Sequence, residues 1–268
     1  VHLRIGRLLI ANSSPEERDT QLFDIVGHLN QARALLGNST ERLELARLNL
    51  SAGKRAKNST AYVPALRYLE TALELLGPDA WSQEYALRFE TCAEAAGAAF
   101  LASRYERMEE LTGEGLRFAR TILEKHRLRA TRILAYTAQN KFPEVIRLGL
   151  ESIRDLGVRL PRNPNLLNVM GSLIYTRLLV GGRSMDDLPQ MTDSRATAAM
   201  KLIADMIPAA FFAAPLLFPL LVFQLVRLSL RLGNNEVTPY GHATWGMILC
   251  GIAGDIESGY RFGRLSYR

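Results

Sequence analysis

Gly53-Lys54 is the first pair in this chain whose residue types could do chemistry, since a phosphate-binding loop ends in glycine-lysine. That loop needs GxxxxGK followed by Ser or Thr, after a strand. Here Arg55 follows the lysine, and Leu48 stands where the first glycine belongs. Gly53 therefore reads as a packing residue that lets two helices approach, and Lys54 as solvent-facing. The four histidines, His2, His28, His126 and His242, include no two that are three or four residues apart, so a helical zinc pattern is absent. His28 reads as a partly buried or surface side chain, and His242 is too far from Cys250 along a helix to form a nucleophile pair. Asp186-Asp187 sits in an irregular connector and could meet a cation, but solvated helix capping is the stronger reading. Glu16-Glu17 and Glu109-Glu110 read as solvated helix faces. No catalytic, cofactor-binding or metal-ligating residue is assigned.

The elements that would position these residues are helical. From Tyr62, the positions Ala65, Leu66, Leu69, Ala72, Leu73 and Leu76 recur with helical spacing, and Gly77-Pro78 ends the stripe. Leu43, Ala46, Leu50, Gly53 and Ala56 mark an earlier helix. The polar turn KNST joins the two, and Ser59 or Thr60 is placed to cap the second. The result is a helical hairpin. The same pattern predicts hairpins over 81–101 with 104–121 and over 124–138 with 142–156. Another, with Gly254-Asp255 as its turn, closes the chain. Ser14 before Pro15-Glu16-Glu17 predicts a capped helix start, and 165–180 reads as one further helix.

Aligning the second helices on their first large residue, Tyr62, Tyr105, Phe142 and Ile256, exposes a regularity. Ten residues on come Ala72, Gly115, Ser152 and Ser266, small every time. Seven on come Leu69, Thr112, Gly149 and Gly263, small in three of four. Small side chains at these positions permit close helix contact. The spacing, about 40 residues, exceeds the 34 of the tetratricopeptide unit. The long gap before Ile256 leaves room for two degenerate hairpins. The predicted fold is thus all-α, an irregular tetratricopeptide-like solenoid of helical hairpins. It runs as one continuous region over 1–268, with a hinge or longer loop at 157–165.

Composition narrows the partners. The chain has 268 residues, 48% of them hydrophobic, and a formal net charge of +6. This excess is modest, and no basic run with interleaved aromatics points to nucleic acid. Cys92 and Cys250 form no CxxC pair, which fits a reducing, cytoplasmic setting with both thiols in the core. The apolar stretch Met206 to Val226 carries no charge and is long enough for a membrane span. Pro208, Pro215 and Pro219, with amphipathic helices on both sides, favour a buried helix pair divided near Pro215 or Pro219. The first residues lack an initiator Met and a long apolar core, and the chain stops inside a helical pattern, so a piece of a longer polypeptide is expected.

The stretches VHLRIGRLLIANSSPEE, LFDIVGHLNQARALL and ERLELARLNLSAGKRAKNSTAYVPALRYLETALELL resemble a region of very large signalling proteins. LPQMTD, LSLRLGN and GDIESGYRFGRLSYR are similar to later landmarks of that region, and Leu48-Asn49-Leu50 with Ala52-Gly53, then Gly254-Asp255 with Gly259-Tyr260, keep its order. Those proteins carry a serine/threonine kinase-like domain, an AAA-type ATPase of the signal-transduction class, the helical-repeat region, a GAF domain and often a histidine kinase. The resemblance implies that catalysis lies outside this segment, and no catalytic residue carries over. The expectation is a non-catalytic scaffold that binds a protein, a peptide or neighbouring domains. Asn49, Arg55, Gln83 and Arg88 are the candidate concave-face residues, by analogy with first helices of repeats. The alternatives are a ligand-sensing solenoid of an ATPase-type transcriptional regulator and a structural oligomerisation spacer.

Overall fold

The computed structural model describes residues 1–161, 163–181 and 188–267. Among them are fifteen α-helices and one short 3-10 turn. No strand occurs among the described residues, only an isolated bridge between Gln190 and Asn234. The contacts divide the chain into two units, Val1–Arg120 and Thr121–Arg268. The 157–165 stretch lies inside the second unit.

The first unit holds α1 (His2–Asn12), α2 (Pro15–Thr20), α3 (Leu22–Gln31), α4 (Ser39–Asn58), α5 (Tyr62–Leu76), α6 (Ala80–Gln83), α7 (Tyr85–Leu101) and α8 (Tyr105–Phe118). Ser14 and Glu17 form the expected capping box at the start of α2. α4 pairs with α5 and α7 with α8, and α5 packs on α7, so one hairpin lies against the next. Ile25, Leu29, Leu45, Ala46, Ala72 and Leu75 form one buried cluster. Cations on α4 meet anions on or just before α7: Lys54 with Glu90, Lys57 with Glu94, and Arg47 with Glu84. Glu70 of α5 likewise meets Arg107 of α8, 37 residues away in sequence.

The second unit holds α9 (Ile122–Ala138), α10 (Phe142–Asp155), α11 (Leu166–Val180), α12 (Ser194–Ala213), α13 (Leu217–Leu232), α14 (Thr238–Gly251) and α15 (Ile256–Leu265). α9 pairs with α10, α12 with α13, and α14 with α15. α12 packs on α10, α11 on α13, and α13 on α14. Among the described residues, three helices lie in the gap before the last hairpin where two degenerate hairpins were expected, and α11 packs on α13 and not on a neighbouring helix in sequence. The uncharged stretch from Met206 to Val226 is divided at Ala214–Leu216 into the end of α12 and the start of α13. Met206, Leu220, Leu221, Phe223 and Leu225 from it are buried in the core, beside Trp245 of α14. Ser194–Ala213 is long and apolar enough to cross a membrane by length and composition, with 56% of its most apolar stretch buried inside the fold.

Four hairpin turns share one device. Thr60, Ser103, Asn140 and Gly254 have φ of 60°, 56°, 56° and 67°, and each stands two residues before the next helix. In the first three, the following amide reaches back five residues: Ala61 to Ala56 O, Arg104 to Ala99 O and Lys141 to Tyr136 O, at 2.8–2.9 Å. This is the left-handed helix ending that satisfies the last free carbonyls. Thr60 thus turns the chain and does not cap α5. The four helices that follow begin at Tyr62, Tyr105, Phe142 and Ile256, the residues on which the sequence aligns.

Candidate functional site

The structure sorts the residues singled out above by burial. Ala72, Gly115, Gly149 and Ser152 are buried. A Cβ placed on Gly149 would fall within 2.7 Å of both Cγ and Cε of Met206, on α12. The last hairpin uses other positions. Ser266 lies just beyond α15 and is half-buried, while a Cβ on Gly263 would meet nothing within 4 Å. There the backbones meet at Gly246 and Gly259, where a Cβ on either would lie 2.8 Å from the other's carbonyl oxygen. Leu69, the exception at position seven, fills the space left by Gly53, so that hairpin keeps its glycine on the other helix.

Two of the four concave-face candidates are internal. Asn49 is fully buried, and its amide exchanges two 2.8 Å hydrogen bonds with that of Asn30. Arg88 is buried too. It donates to Glu114 at 2.5 Å and to the carbonyl of Leu73 at 2.8 Å, and its guanidinium lies over the Trp81 ring. Both are spent on holding helices together, because a polar group without water needs a partner inside the fold. Arg55 is exposed and donates to the Asp19 carbonyl at 2.6 Å, and Gln83 is exposed.

Other chemistry-bearing groups are similarly placed. Cys92 is buried, its thiol pushed up to about 12 chiefly by burial, whereas Cys250 is exposed on α14 and not a core atom. His2 and His28 come together through folding, Nδ1 to Nδ1 at 2.8 Å. Asp186 and Asp187 lie outside the described residues. No group of three or more His, Cys, Asp or Glu placed to hold a metal occurs among the described residues.

Asp205 on α12 has its carboxyl raised to about 6 by burial, against the opposing pull of Lys201. Tyr240 of α14 is raised by burial and by Asp205, while His126 of α9 is lowered by burial and by Lys201 and Arg129. The folded chain thus holds the Asp205 proton at pH values where the unfolded chain has released it. Stability from this group falls as pH rises from the ordinary value near 3.8 to about 6. Asp205→Asn removes the cost of the buried charge. The variant is expected to be more stable than the parent by about 1–2 kcal/mol at pH 7.5, with no gain at pH 4. Urea titrations of both proteins at the two pH values check this.

An open concavity with a volume of about 1200 Å³ lies along α10. Its geometry follows from the strict sidedness of that helix. Val145, Leu148, Gly149, Ser152 and Ile153 turn inward. Ile146 and Leu150 are left half-covered on the other side, with Arg147 and Arg154 exposed beside them. Gly157, at φ 95°, then reverses the chain, and the amide of Val158 bonds back to Ile153 O at 2.8 Å. Arg159 and Leu160 are thereby folded into the wall, opposite Ala213 and Ala214 at the end of α12. Phe142 and Phe212, next in sequence to lining residues, stack at 5.7 Å, and Phe212 is 70% exposed. The groove combines apolar side chains with arginines.

Comparison with known proteins adds one line of descent. The chain is similar to a Dictyostelium discoideum protein described as hybrid signal transduction histidine kinase G, 24% identical over 308 residues. The chain is a distant, partial homologue of a large hybrid histidine-kinase signalling protein. The match covers 98% of this chain and 9% of the relative, so the chain spans under a tenth of its relative's length. No family model matches, and no solved structure does.

The groove was not legible in the sequence. Its walls come from α10, from the segment after it and from the end of α12. The only local signal was the segregation of Ile146, Leu150, Arg147 and Arg154 from the inward residues of α10.

Proposed function

We propose that this chain is a non-catalytic interaction module of a multidomain, cytoplasmic signalling protein, in which hairpins stack as an irregular tetratricopeptide-like solenoid. The observation that carries the reading is the end-to-end match to a short part of a much longer kinase. An insert-sized helical region with an open groove suits a role in presenting or sensing a protein segment, while phosphoryl transfer belongs to other domains. The shared turn geometry and the hairpin-on-hairpin packing of the first unit support the stacked-repeat reading. So does the groove, whose 1200 Å³ exceeds the roughly 300–1,000 Å³ of a small-molecule site and suits a longer occupant. In such a module the partner is a protein, a peptide or another domain of the same polypeptide.

The test is excision of this segment from the parent signalling protein. Autophosphorylation by the remaining domains is expected to persist while its response to stimulus or partner is lost. Unchanged signalling after excision, or ATP hydrolysis by the purified 268 residues themselves, overturns the proposal.

A further inference from the structure

We infer that the α10 groove is a docking site for an acidic, amphipathic helical segment of protein, an inference that rests on the interaction-module reading and names its occupant. The charges decide the sign. Glu151 and Asp155 belong to the lining but are already engaged, with Arg147 at 3.5 Å and with Arg129 at 2.6 Å. Arg154 and Arg159 are exposed and have no ion-pair partner among the described residues. Among the described residues, the charge left unpaired in the groove is therefore two guanidinium groups, whose planar forks fit carboxylates two bonds at a time.

The floor decides the rest of the occupant. Ile146 and Leu150 stand one helical turn apart on α10, and Leu160 faces the same space. A helix with apolar residues on one face and Asp or Glu beside them satisfies floor and arginines together, the helix-in-groove mode of recognition. A flat bilayer surface does not enter a concavity. A nucleic acid backbone, which needs several cations along its path, would meet Glu151 and Asp155 between the arginines.

The experiment titrates the intact chain against a fluorescent peptide of about 16 residues, built from repeating Glu-Glu-Leu-Leu so that it can form a helix. A twin carries Lys for Glu. Saturable anisotropy is expected for the acidic peptide and not for the twin. Arg154→Glu with Arg159→Glu should weaken binding at least about tenfold without changing helicity or melting. The milder pair Arg154→Gln and Arg159→Gln should weaken it less, and added salt should weaken it for the wild type. A flat titration, equal binding of the Lys twin, or affinity unchanged by charge reversal overturns the inference. Tighter binding to an RNA oligomer or to phosphatidylserine vesicles than to the peptide does so too. If the titration is flat while excision still abolishes signalling, the groove assignment falls and the module reading stands. Excision without effect removes the module reading itself.

Discussion

Gly149→Leu is expected to destabilise the chain by about 3 kcal/mol, at the upper end of what overpacking a core costs. Gly149 faces Met206 so closely that even a Cβ requires Met206 to move. Met206 is fully buried in one cluster with Leu202, Ile203 and residues of α13, so moving it disturbs the core. A methionine bends more readily than a branched side chain, and Gly149→Ala should therefore cost much less than the leucine. The control is Gly263→Ala on α15, where nothing lies within 4 Å. There alanine is expected to stabilise the helix by up to about 1 kcal/mol, because glycine is the poorer helix former. Urea unfolding of the three variants separates the sites. Equal effects at both glycines would refute a packing role for Gly149.

Glu114→Ala is expected to cost about 3 kcal/mol, through the groups it leaves behind. Glu114 accepts from Arg88 at 2.5 Å and from Trp81 Nε1 at 2.9 Å. Removing it strands a guanidinium with only 9% of its side chain exposed, and the indole N–H beside it. Burial alone would raise the Glu114 carboxyl, but the hydrogen bonds from Arg88 and Trp81 outweigh it and hold the carboxyl below its ordinary value of 4.5. The sign follows: this stabilisation is present above that value and is lost as pH falls through the lowered one. Arg88→Met replaces the cation by an apolar chain of similar reach and should cost less than Glu114→Ala. A double-variant cycle measured by urea unfolding gives the coupling, and independence of the two sites would contradict the network. Trp81 emission supplies a second readout, since the ring stacks on Phe118 at 4.5 Å and borders the altered pair.

The local features of the fold were readable because they are properties of short windows. Helical spacing placed the starts of α5, α8, α10 and α15, and Ser14 with Glu17 marked a cap. Small residues at a fixed offset found Ala72, Gly115 and Ser152, which are buried. The same rule failed at Gly263 and Ser266, because the last hairpin closes through a different pair, Gly246 and Gly259. An offset in one helix does not say where the other helix arrives. Asn49 and Arg88 were misplaced for a related reason. Polar residue type suggests a wet surface, but their partners, Asn30 and Glu114, lie 19 and 26 residues away and draw them inside. The groove depends on three separate segments meeting, which no periodicity reports.

The ion pairs between α4 and α7 give the first unit a sense of order. α4 presents Arg47, Lys54 and Lys57 toward its neighbour, which answers with Glu84, Glu90 and Glu94. Each pair with an exposed partner contributes little to stability. Together they discriminate: a second α4 docked where α7 belongs would set three cations against three cations. Hairpins laid down in the wrong sequence, or two chains meeting through this face head to head, would repel instead of merging. The succession of helices is thus written in polarity as well as in shape.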